Sequence, residues 1–245
     1  FVGFENYQKL GQDPAFWTAL QNNLTLLAGT GVVIISLAVL LAHCVKGEGR
    51  LTGFLRSIYL FPQVVSLVVV AVLWQFIFNP KGLLNAGLER FGLPTATWLG
   101  DPRYALAAVG VAFVWNALGF YIMLFAAGLE GIPEEVNEAA ELDGSKGWHR
   151  FRTVTWPMLW SVKRVAITYL AINVTNTFAL VFLMTRGGPD RRSEVMLTYL
   201  YESAFVNSQF GYATAVAVGN FLVVMAISLA ILFFFRKNPM EARSA

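Results

Sequence analysis

Residues able to perform catalysis are few in this chain. Its one cysteine is Cys44, and its two histidines are His43 and His149. A metal centre needs several such ligands, and a nucleophile needs a neighbouring base. Paired carboxylates do not occur inside the long apolar runs, so neither kind of site can be assembled. The sequence therefore predicts no catalytic residue, no metal site and no enzymatic activity for this chain.

A group of uncharged polar side chains has the spacing of one helix face. These residues, at i, i+4, i+7 and i+8, are Tyr169, Asn173, Asn176 and Thr177. Amides donate and accept hydrogen bonds, and aromatic rings stack on the apolar face of a sugar ring. The stripe therefore favours a pathway for a sugar-like solute; alternatively, these side chains join helices through hydrogen bonds within lipid. Further candidates for the pathway are Gln75, Trp115, Asn116 and Asn220.

The elements that position this stripe are predicted to cross a membrane. Hydrophobic residues make up 56% of the chain and charged residues 13%, against about 25% charge in ordinary soluble domains. Apolar runs near the length of about 20 residues that a spanning helix needs lie at 22–43, 55–78, 104–128, 163–184 and 213–235. The predicted fold class is an all-α polytopic membrane protein with about five transmembrane helices in one domain, 1–245. Pro62 should kink the second span.

Charged residues indicate the cargo and the orientation. Residues 165–184 and 213–235 contain no Asp, Glu, Lys or Arg, whereas ion-coupled transport usually places an ionisable group inside a span. A neutral cargo with an external energy source is favoured, and an ion-coupled secondary transporter or channel is the alternative.

Lys and Arg are more frequent after the first and third spans and in the tail than in the other connections. The positive-inside rule therefore places loop 129–160 in the cytoplasm and residues 1–21 outside.

The loop at 129–160 is predicted to hold a helical hairpin. Pro133 suits the first helical position because it has no amide hydrogen to leave unsatisfied. Gly144 supplies the left-handed conformation that ends a helix, and Ser145 can cap the next one. The second helix is predicted over about 146–154.

One face of the first hairpin helix is small and apolar. Val136, Ala139 and Ala140 form this face, and Glu138 and Glu141 project beside it. Such a face suits close docking into a groove of another protein; a loop lying on the membrane surface is the alternative. The second helix is predicted to stop ahead of Pro157.

The same hairpin carries a motif of wide spacing. Glu138-Ala139-Ala140 is followed by three residues, Gly144, nine residues and then Val154-Thr155-Trp156-Pro157. This pattern resembles the EAA loop of the membrane subunits of bacterial binding-protein-dependent ABC importers, with Val154 and Trp156 in place of Ile and Leu. Similarity to the carbohydrate-uptake branch, which includes the maltose and glycerol-phosphate permeases, is carried by Phe1–Tyr7, Arg186–Pro189, Tyr201–Phe205 and Gly211–Ala215.

The resemblance implies a transmembrane subunit of an ATP-driven sugar importer in the bacterial inner membrane, with 129–160 as its cytoplasmic coupling loop. Residues implied in coupling to the ATPase are Glu138, Ala139, Ala140, Asp143, Gly144 and Pro157. The family usually has six spans, so the first is expected upstream of Phe1. The chain has no Gly-Lys dipeptide and hence no phosphate-binding loop, so ATP and Mg²⁺ are expected in a partner and no cofactor here.

Four kinds of partner follow from the resemblance. They are a dimer of cytoplasmic ATPase subunits, a second and related permease subunit, an extracytoplasmic solute-binding protein, and membrane lipid. A nucleic-acid partner is not expected, because the basic residues are dispersed and form no stripe.

Overall fold

The computed structural model describes residues 2–47 and 49–236, and all regular secondary structure in this part of the chain is helical. Five stretches are long and apolar enough to cross a membrane: Pro14–Ala42, Leu67–Arg90, Ala105–Glu130, Trp160–Met184 and Phe210–Phe234. The predicted all-α class with five spans is confirmed. Phe1 and most of the C-terminal tail, 237–245, lie outside the described residues.

The helices are numbered in chain order. They are α1 (Glu5–Gln12), α2 (Pro14–Ala42), α3 (Arg50–Val64), α4 (Leu67–Phe78), α5 (Leu83–Arg90), α6 (Ala105–Glu130), α7 (Glu134–Leu142), α8 (Gly147–Arg150), α9 (Trp156–Met158), α10 (Trp160–Thr175), α11 (Ala179–Met184), α12 (Met196–Tyr201) and α13 (Phe210–Phe234). Two π-helical turns, Phe151–Thr155 and Glu202–Val206, follow α8 and α12.

The first span begins eight residues before the predicted start at residue 22. Helix α2 starts at Pro14, whose missing amide hydrogen costs nothing in a first turn. The Asp13 side chain caps the helix by accepting a hydrogen bond of 2.9 Å from the Ala15 amide. A count of apolar residues misses these early turns, because they are more polar than the rest of the helix.

The second predicted span is two helices rather than one kinked helix. Pro62 lies inside α3, and the chain becomes extended only at Val65 and Ser66. The Pro62 carbonyl lies in the last turn of α3, where helix carbonyls have no amide partner in their own helix. Asn116 donates a hydrogen bond to this carbonyl at 2.8 Å. The predicted kink is therefore a complete break, three residues beyond the proline.

The fourth predicted span, 163–184, is also interrupted. It begins at Trp160, and α10 ends at Thr175 before α11 starts at Ala179. The Asn23 side chain, which is 1% exposed, donates to the carbonyls of Val174 and Thr175, each at 3.3 Å. Asn23 also accepts a 2.8 Å hydrogen bond from the Met196 amide, so α2 holds the interrupted helix and α12 together.

Helix α6 is the centre of the main core, where it contacts α2, α3, α4, α10 and α11. Its side chains Tyr121, Ile122 and Phe125 are almost completely buried. Gly119 allows the closest approach, because a Cβ atom there would collide with the carbonyl group of Tyr59 in α3. This contact brings the backbones of α3 and α6 together, as small residues do in membrane helix pairs.

A second, smaller core joins the two ends of the chain. It is formed by α1, α2, α12 and α13 around Phe16 and Met196. The hydroxyl groups of Tyr199 and Tyr212 both donate to the Asp13 carboxylate. Partial burial opposes ionisation, but these bonds outweigh it and lower the pKa of Asp13 below its ordinary value.

Replacing Gly119 by alanine should destabilise the protein by about 1–3 kcal/mol, because overpacking forces α3 and α6 apart. Thermal unfolding of the purified protein in detergent measures the change. Gly29→Ala is the matched control, since a Cβ atom at Gly29 meets nothing within 4 Å. Equal unfolding temperatures for the two variants would contradict the close approach.

Replacing Asp13 by asparagine should lower the free energy of unfolding at neutral pH by about 1–3 kcal/mol, because hydrogen bonds to a charged acceptor are lost. Because the pKa of Asp13 is lowered in the folded protein, its carboxylate stabilises the fold fully at pH values well above the ordinary pKa of 3.8. This stabilisation is lost as the pH falls through the lowered pKa of the folded state. The difference between wild type and variant should therefore shrink in acid. The test is thermal unfolding of wild type and variant between pH 3 and 8, in steps of about one pH unit. The exposed Asp143→Asn substitution is the control. A stability difference that does not change with pH would contradict the role of the Asp13 carboxylate.

Candidate functional site

The first arm of the predicted hairpin is α7. It begins one residue after the predicted start, with Pro133 as its N-cap, and Gly144 has the left-handed φ of +74°. The Ser145 amide then donates to the Ala140 carbonyl at 2.9 Å. These features match the C-terminal glycine motif that the sequence predicts for the end of this helix.

The second arm differs from the prediction. Helical turns continue from Gly147 to Met158, so Pro157 lies within the arm and does not follow it. The π-helical turn Phe151–Thr155 makes this possible, because the Trp156 amide pairs with the Phe151 carbonyl and Pro157 enters the first turn of α9. The predicted cap at Ser145 is wrong: its buried hydroxyl has no hydrogen-bond partner among the described residues, and α8 starts after Lys146.

The two arms are tied by one side chain. The Arg150 guanidinium donates to the Glu141 carboxylate at 2.8 Å and to the Asn137 side-chain oxygen at 2.6 Å. A single exposed ion pair stabilises little. Two donors from one planar group, however, set the relative orientation of the arms.

The motif residues divide into an exposed and a buried set. Glu138 and Ala139 are exposed, as are the turn residues Asp143 and Gly144, but Ala140 is only 7% exposed and packs inward. The predicted face of two exposed alanines is therefore wrong for Ala140. Leu142, which the sequence interpretation overlooked, is 89% exposed and adds apolar surface at the end of α7.

A cavity of about 320 Å³ lies where the two interrupted spans meet α6. Four of its lining residues are the predicted stripe, and a fifth is Asn116. Polar or aromatic lining residues that the sequence interpretation missed are Gln63, Phe113, Phe120, Tyr121 and Phe178. Gln63 and Phe178 flank the two helix breaks, which apolar periodicity does not reveal.

Backbone carbonyls orient the amides of this cavity. Asn173 and Asn176 each donate to the carbonyl four residues earlier, at 2.9 Å. Asn176 also accepts a 3.2 Å hydrogen bond from Asn220, which is 6% exposed in α13. No charged side chain lines the cavity within the described part of the chain. The arrangement therefore offers oriented amides and aromatic rings to a neutral molecule.

Two predicted pathway residues lie elsewhere. Gln75 donates to the Leu183 carbonyl at 2.6 Å and borders a separate cavity of about 550 Å³. Trp115 packs against Trp74 with the ring centroids 6.0 Å apart, on the side of α6 that faces α2. These two residues and the stripe are not brought to one place.

Residues 34–237 match the family described as binding-protein-dependent transport system inner membrane component. The chain belongs to this family. The resemblance of its hairpin motif to that of ABC importer permeases is thereby confirmed, and the protein is a multi-pass component of an inner membrane.

Curated relatives extend over nearly the whole chain. A probable ABC transporter permease protein, YurN of Bacillus subtilis (strain 168), is 34% identical over 98% of this chain and 84% of its own length. NgcF, a diacetylchitobiose uptake system permease protein of Streptomyces coelicolor, is 36% identical over 96% of this chain and 70% of its own. UgpA of Agrobacterium fabrum (strain C58), an sn-glycerol-3-phosphate transport system permease protein, is 31% identical over 97% of this chain and 82% of its own length.

A solved structure shares the fold. It is a bacterial ABC transporter involved in the import of the acidic polysaccharide alginate, with a TM-score of 0.85 at 23% identity. The match covers 96% of this chain and 84% of the other chain. The two chains therefore share the same overall helical fold.

Proposed function

We propose that this protein is the transmembrane subunit of an ATP-driven importer for a neutral sugar or sugar-like solute in a bacterial inner membrane. The main observation in support of this function is the cavity between the interrupted spans, which is lined by oriented amides and aromatic rings. Family membership supports import with a separate binding protein, since the family is named for that dependence.

The uncharged cavity distinguishes among the cargoes of the relatives. NgcF is named for diacetylchitobiose and UgpA for sn-glycerol-3-phosphate, while the alginate transporter imports an acidic polysaccharide. An anionic cargo leaving water would need a cationic partner nearby, and none of the described cavity residues is charged. A neutral glycoside or polyol therefore fits this cavity better than a phosphorylated or uronic acid.

The hairpin is the proposed contact with a cytoplasmic ATPase. Exposed Glu138, Ala139 and Leu142 offer a carboxylate beside a small apolar surface, while the Arg150 tether keeps the two arms in one orientation. Closure of two ATPase subunits on ATP would then move this hairpin and the spans that continue from it. ATP and Mg²⁺ are held by the ATPases, and a second permease subunit completes the pathway.

Combining Glu138→Gln with Gly144→Val should reduce transport at least tenfold, since the first change removes the carboxylate and the second opposes a positive φ. The measurement is uptake and ATP hydrolysis by the complete transporter in vesicles, alongside thermal stability. Glu134→Gln, at an exposed position in the first turn of α7, is the control. Wild-type uptake by the double variant would overturn the coupling role.

Replacing Asn173 by leucine should raise the solute concentration for half-maximal uptake about tenfold, because an unpaired hydroxyl of the solute would face an apolar group. ATP hydrolysis without solute should stay unchanged. Thr214→Val is the control, since Thr214 is an exposed polar residue of another span whose hydroxyl donates to the Phe210 carbonyl of its own helix. Equal uptake curves for both variants would contradict the assignment of the cavity to the cargo.

A further inference from the structure

A second concave surface lies between α2 and the hairpin. It is a groove of about 780 Å³ whose walls are two facing helix stripes. The wall from α2 consists of Ile35, Ser36, Val39, Leu40 and His43, and the wall from the second arm consists of Gly147, Trp148, Phe151, Arg152 and Trp156. The groove therefore begins within a predicted span and ends beside the hairpin.

Most of the groove lining is apolar or aromatic. Leu40 is 66% exposed and Trp148 is 74% exposed. The rings of Trp148 and Phe151 stack with centroids 5.1 Å apart, and Trp156 packs on Phe151 at 5.9 Å. Tryptophan side chains with this exposure are typical of the boundary between the acyl chains and the headgroups of a bilayer.

The groove lining also includes the guanidinium group of Arg152 and the imidazole of His43. No carboxylate is among the lining residues that the structure describes. Exposed Lys46 and Lys146 follow within a few residues on the two sides. A guanidinium group matches the geometry of a phosphate with two parallel donors. The groove thus combines an apolar and aromatic lining with a cationic group.

From this combination of an apolar lining with a cationic group we infer that the groove binds one anionic phospholipid. The acyl chain lies against Ile35, Val39 and Leu40, and the phosphate group contacts Arg152 beside His43. Charge complementarity selects this occupant, because basic pockets at the ends of transmembrane helices bind anionic headgroups. An apolar peptide helix would cover the walls but leave Arg152 without a counter-charge. The inference does not depend on the cargo or on the ATPase contact.

The test uses the intact chain purified with its partner subunits and stripped of native lipid. Phosphatidylglycerol and phosphatidylcholine are titrated separately, and native mass spectrometry counts the lipids retained. Phosphatidylglycerol should be retained in preference to phosphatidylcholine. Arg152→Gln should weaken retention of phosphatidylglycerol about fivefold, the effect of one basic residue beside an anionic headgroup, without changing that of phosphatidylcholine.

Two further variants make the outcome decisive. Ser36→Phe fills the groove from an exposed position and should reduce retention of both lipids. Arg50→Gln removes an exposed charge that does not line the groove and should have no effect. Equal effects of Arg152→Gln and Arg50→Gln, displacement of the lipid by inorganic phosphate alone, or a protein cross-linked into the groove would overturn the inference.

Discussion

Backbone groups without partners are costly inside a membrane, and this constraint governs the middle of the protein. The spans that contain α3 and α4, and α10 and α11, are each interrupted. At both breaks, side chains from intact helices donate hydrogen bonds to backbone carbonyls. Asn116 donates to the Pro62 carbonyl, and Asn23 donates to the carbonyls of Val174 and Thr175. Irregular backbone is tolerated there because it lines a cavity and is covered by protein.

The hairpin and the cavity are joined by continuous helices. Helix α6 forms one cavity wall and leads through 131–133 into α7, while the second arm leads through α9 into α10, which forms another wall. Arg150 ties the two arms of the hairpin, and Gly119 packs closely against Tyr59 of α3. Continuous helices and these contacts therefore connect the hairpin to α3, α6 and α10.

Local patterns made the hairpin predictable. The end of α7 at Gly144 depends on neighbouring residues alone, and the wide EAA spacing identifies the family that the match to residues 34–237 confirms. Local patterns missed two features of the same hairpin. The π-helical turn carries Pro157 inside the second arm, and Ala140 is buried rather than exposed.

The sequence by itself determined that the protein lies in a membrane and which class of protein it is. It contains apolar runs long enough to span a bilayer, few charges within them, and a polar hairpin between the third and fourth runs. Tertiary structure alone decided which polar residues share a cavity. The stripe, which runs from α10 into the break that follows Thr175, meets Asn116, Gln63 and Phe178, whereas Gln75 and Trp115 face other surfaces. The physical reason is that helix breaks and interhelical contacts depend on residues far apart in the chain. A hydropathy pattern averages over residues that are adjacent in sequence, so it contains no information about these contacts.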